Sequence, residues 1–101
     1  MENFEEKVKK IKENFSTMKK FSLYDKGVQQ ELKTPMVWIA ALYGDDSYEK
    51  DFHLTIDEKG RFHLLTLRSD GSVERLLKNK IIGIKEAKKT FNDFTFIEPL
   101  E

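Results

Sequence analysis

From Phe52 to Lys78, apolar and polar residues alternate with a period of two, and short polar stretches break the alternation twice. The runs are F-H-L-T-I-D, R-F-H-L-L-T-L-R and V-E-R-L-L-K, separated by E-K-G and S-D-G-S. Such a pattern predicts a three-stranded antiparallel meander. Glu58-Lys59-Gly60 suits a three-residue loop ending in a left-handed residue, a conformation glycine adopts without steric penalty. This loop pairs Asp57 with Arg61, Ile56 with Phe62, Thr55 with His63, Leu54 with Leu64 and His53 with Leu65. Asp70-Gly71 signals a two-residue turn, which pairs Leu65 with Leu76 and Leu64 with Leu77. One face of the meander then carries Phe52, Leu54, Ile56, Phe62 and Leu64. The other carries His53, Thr55, Asp57, Arg61 and His63, with Leu65 and Leu67 further along.

The period changes on either side of the meander. Phe4, Val8, Ile11, Phe15 and Met18 recur at spacings of four and three, which predicts an amphipathic helix reaching about Lys20. Asn3 with Glu6 forms a capping-box pattern at its start. The stripe is expected to lie on the sheet; its spacing also fits a short dimerising seam. Ile84, Ala87, Phe91 and Phe94 mark a second amphipathic helix over 84–92, and Phe94 to Glu98 reads as a closing strand ended by Pro99. Such a strand would reach the sheet through a right-handed crossover.

Two stretches are ambiguous. Asp25 is placed to cap a short helix containing Val28 and Leu32, although Gly27 weakens that reading. Met36 to Tyr43 is apolar on every side, so periodicity cannot separate a buried helix from a buried strand. Thr34-Pro35 before it and Gly44 after it are helix-boundary signals and tilt the expectation to helix. In either form Trp38 is expected in the core.

A chain of 101 residues builds one domain with a single modest core. The expected fold is therefore a single two-layer α+β domain over 1–101, a three- to four-stranded antiparallel meander packed against amphipathic helices. Lysine and arginine number 18, as do aspartate and glutamate, a balance that argues against a strongly basic nucleic-acid binder. The absence of cysteine removes disulfides, thiolate metal sites and cysteine nucleophiles. No apolar run approaches the roughly 18 residues of a membrane span, and the charged beginning is unlike a secretory signal, so a cytoplasmic protein is expected.

Candidate chemistry is sparse. His53, Asp57 and His63 share a face, and imidazole with carboxylate is what a metal or a general base would use. No third strong metal ligand accompanies the histidines, and the default reading is a solvated polar face, with no cofactor. The serines lie outside any nucleophile elbow, and the five glycines form no phosphate loop. What remains is surface. Leu65, Leu67 and Leu76 lie opposite the main apolar face, where a small chain is not expected to cover them, so a contiguous patch should meet a partner. The first reading is a non-enzymatic interaction module that binds a second copy of itself or another protein, most simply as a homodimer. The alternative is a small anion- or nucleic-acid-binding domain using Arg61, His63 and Lys78 on the polar face of the sheet. Arg68 and Arg75 fall on the other face from Arg61 in this register.

Overall fold

The structure, a computed structural model, describes residues 3–43, 50–70 and 73–94. It is an α+β fold in which strands β3 (Met36–Leu42), β4 (Lys50–Asp57), β5 (Phe62–Asp70) and β6 (Val73–Ile82) form an antiparallel sheet in that order. Helices α1 (Phe4–Asn14) and α2 (Ile84–Asp93) lie on one face. A two-stranded ribbon, β1 (Ser22–Asp25) with β2 (Val28–Glu31), lies on the other.

The hairpin at Glu58-Lys59-Gly60 forms as its sequence dictates. Gly60 has φ +82°, the Asp57 amide donates to the Arg61 carbonyl at 2.9 Å, and Ile56, Thr55, Leu54 and His53 face Phe62, His63, Leu64 and Leu65. The second hairpin differs from expectation. Asp70 faces Val73 and Leu67 faces Leu76, then an irregularity follows, after which Thr66 faces Lys78 and Leu65 faces Asn79. Leu77 is the extra residue of this bulge and turns outward, 48% exposed. The bulge has a physical reason: with it, Ile82 reaches Phe62 in the core while Leu67 and Leu76 stay opposed at the far end.

α1 starts where the capping box places it, with the Glu6 amide donating to Asn3 Oδ1 at 2.8 Å. It buries Phe4, Val8 and Ile11, and ends sooner than the apolar stripe does, passing into a 3-10 turn over Phe15–Thr17. Phe4 meets Phe62 of the sheet at 5.5 Å and Phe91 of α2 edge-on at 5.7 Å, joining helices and sheet in one apolar cluster.

Two expectations are corrected. Met36 to Leu42 is a strand rather than a helix and supplies the sheet's fourth strand, paired with β4 from Met36–Asp57 to Leu42–Phe52. Its apolar character on all sides follows from coverage on both: Val37, Ile39 and Ala40 pack toward the helices, while Met36 and Trp38 pack toward the ribbon. Thr34-Pro35 leads into extended backbone, as the residue before proline prefers. Residues 25–32 form no helix: Lys26 (φ 53°) and Gly27 (φ 81°) make a two-residue hairpin turn of the primed type. The expected closing strand over 94–98 lies, apart from Phe94, outside the described residues, as does Gly71. Phe94 itself packs against the helix-side cluster.

Candidate ligand-binding cleft

The ribbon changes the meaning of the leucines. Leu65 and Leu67 are fully buried, and with Phe21 and Met36 they form a second apolar cluster against which Leu23, Leu32, Trp38 and Leu76 pack. The expected exposed patch is therefore inside the chain. Neither do Arg61, His63 and Lys78 gather into one surface, because the β6 bulge puts Lys78 opposite Thr66, on the helix side of the sheet.

Asp57 and His63 do come together. The buried Asp57 carboxylate accepts from the amides of Lys59 and Arg61 at 2.9 Å each, from Arg61 Nε at 2.8 Å and from His63 Nε2 at 2.8 Å. Burial pushes this carboxyl up, but the hydrogen bonds from His63, Arg61 and Lys59 outweigh it and hold it at about 2. His63 Nδ1 lies 2.8 Å from Asn79 Oδ1, so the ring is held at both nitrogens. With every partner occupied, the network locks the β4–β5 turn. His53 does not join it, since four residues along one strand separate it from Asp57 by roughly 13 Å. Among the described residues, no group of three or more His, Asp and Glu stands close enough to hold a metal ion.

His53 belongs to a different constellation. It is 3% exposed and sits among Phe21, Trp38 and Tyr43, with ring centroids 5.2, 5.2 and 5.5 Å away. Burial lowers its pKa to about 4 against a small opposing pull from Asp51, so the ring is neutral at neutral pH. It then presents one N–H and one bare nitrogen. Both ring nitrogens and the Trp38 indole N–H are buried without a hydrogen-bond partner among the described residues. An unpaired buried polar group costs about 1–3 kcal/mol, and native structures seldom leave one without a reason.

Trp38 and His53 also line a cleft of about 700 Å³ between α1 with its 3-10 turn and the ribbon. That volume is in the range of small-molecule sites. Trp38, Phe21, Tyr43 and His53 line it, together with Lys7, Lys10, Lys19 and Lys20 and, as the one carboxylate among the described residues, Glu74. Lys20 is fixed in place: its ammonium donates to the carbonyls of Phe15 and Met18 and lies 4.7 Å from the Phe15 ring centroid. Burial raises the pKa of Glu74, against the lowering effect of the Tyr24 amide that donates to it. Burial, with Asp51 and Glu74 nearby, pushes the Tyr43 phenol up to about 12. Comparison of the chain with protein-family models, curated proteins and solved structures finds no match.

Two of the cleft's hydroxyls make hydrogen bonds: Thr17 Oγ1 donates to the Asn14 carbonyl, and Ser22 Oγ accepts from Gln29. No activated nucleophile therefore faces the cleft from these residues, and a neutral histidine titrating near 4 is a weak general base at neutral pH. Sequence reasoning missed this site because its parts are scattered. The floor comes from β3 and β4, the walls from α1 and a ribbon read as helix, and no local motif joins them.

Proposed function

We propose that the protein is a non-enzymatic binding module whose ligand is a planar heteroaromatic molecule bearing an acidic group, seated in the cleft between α1 and the ribbon. The observation that carries this reading is the set of three unpaired polar atoms, on His53 and Trp38, buried at the floor of a roomy aromatic cleft. A heteroaromatic ring can stack against the aromatic side chains, and a small turn of the His53 and Trp38 rings toward it would let its ring atoms give and accept the hydrogen bonds these residues lack. The lysine rim supplies the charge that favours an anionic substituent. Self-association had rested on an exposed leucine patch, and those leucines are covered by the chain's own ribbon.

Trp38 is the only tryptophan in the chain, so its emission reports on the floor directly. Titration with aromatic carboxylates such as indole-3-carboxylate and quinoline-2-carboxylate should change Trp38 emission and raise the melting temperature. Benzene derivatives without ring nitrogen should act more weakly. His53→Phe keeps an aromatic floor but removes two of the polar atoms, and it should weaken binding at least tenfold with the fold retained. If no heteroaromatic acid moves either Trp38 emission or the His53 ring resonances at millimolar concentration, the cleft is not the site of function.

A further inference from the structure

The register of β6 has a further consequence, on the helix side of the sheet. There Lys50, Arg68 and Arg75 stand directly opposite one another across β4, β5 and β6. The next row carries Phe52, Thr66 and Lys78 on the same face. Like charges in directly opposed positions destabilise a sheet, and here they occur twice in a single row. All four cations are exposed, and among the described residues none of them has an ion pair. Among the described residues of these three strands, one acid, Asp70, falls on this face, beyond Arg68. Phe52, half-buried, belongs to neither apolar cluster among the described residues.

We infer that this end of the sheet binds single-stranded nucleic acid, with phosphates on Lys50, Arg68, Arg75 and Lys78 and a base stacked on Phe52. Adjacent strands lie about 4.8 Å apart, so the cation row spans roughly 10 Å, enough to meet more than one phosphate. Exposed cations beside an aromatic ring are how open sheets take single strands without strong sequence preference. An acidic protein would use the same charges but would have no need of the ring. The chain's overall neutrality makes this a local field, so binding should be weak at physiological salt and strong only at low salt.

The test is fluorescence anisotropy with labelled oligothymidylate, run beside poly-glutamate as the competing polyanion. Binding should fall with salt at a log–log slope of about −3 if four phosphates are neutralised. Arg68→Gln with Arg75→Gln should cut affinity at least tenfold and roughly halve that slope. Phe52→Leu should weaken oligothymidylate binding severalfold and leave poly-glutamate unchanged, with circular dichroism confirming the fold of each variant. Trp38 emission should stay constant throughout, because Trp38 lies on the other face. The inference is overturned if oligothymidylate does not bind at low salt or if the arginine variant binds as the parent does. It is equally overturned if poly-glutamate competes equally and Phe52→Leu has no effect, which would assign the row to an acidic protein. A change in Trp38 emission that His53→Phe abolishes would place the oligonucleotide in the cleft and also overturn it.

Discussion

His53 and Asp57 occupy one strand, are both buried, and meet acid in opposite ways. An unfolded chain protonates His53 near 6.5, whereas the folded protein resists until about 4 because burial disfavours the imidazolium. Between those values the unfolded state holds more protons, so the stability that neutral His53 preserves is complete above 6.5 and is lost as pH falls toward 4. The loss is on the order of 3 kcal/mol. Asp57 acts lower: its folded value of about 2 lies below the ordinary 3.8. Its contribution, on the order of 2 kcal/mol, is present above 3.8 and disappears as pH drops through 2. Urea unfolding between pH 8 and pH 2 should therefore show two successive declines. His53→Phe should flatten the upper one and leave the lower intact. An upper decline that persists in the variant would mean that His53 is not held neutral by burial.

At the scale of elements, the ribbon decides what the sheet's second face is. Leu65 and Leu67 lie beneath it with no exposure, so Leu65→Asp places an unpaired charge in an apolar cluster. We expect a loss of at least about 3 kcal/mol, seen as a collapsed melting temperature and reduced far-ultraviolet circular dichroism. A well-folded Leu65→Asp variant would mean that the ribbon stands away from the sheet. The elements differed in how legible they were. The β4–β5 hairpin was readable because Gly60 fixes the loop and strict alternation fixes the register. β3 was not, because a strand covered on both faces has no alternation, and its flanking Thr34-Pro35 and Gly44 are equally good helix boundaries. The ribbon hid behind Lys26, which takes a positive φ usually given to asparagine, aspartate or glycine in such turns. The bulge at Leu77 leaves no local mark; it follows from matching apolar residues at both ends of β6.

Across the whole molecule, cohesion is uneven. β4 and β5 are hydrogen-bonded on both sides and sandwiched between the two apolar clusters. The ribbon's strands pair with each other, and β2 is exposed along its full length. Beyond that pairing and its packing on the second cluster, the segment is tied by the Phe21 amide to the Met36 carbonyl at 2.7 Å and the Tyr24 amide to Glu74 at 3.2 Å. The ribbon should thus open without global unfolding, since regions with few buried contacts open at lower free energy than central strands. Native-state hydrogen exchange should find amides of Leu54 to Ile56 and His63 to Leu65 protected to the global stability, with those of Leu23 to Gln30 exchanging several kcal/mol sooner. Because the ribbon forms one wall of the cleft, a ligand seated on His53 and Trp38 should slow exchange in the ribbon selectively and leave the centre of the sheet at its global limit. If ribbon and central strands exchange at the same free energy, the ribbon is part of the cooperative core, and entry to the cleft does not pass through its opening.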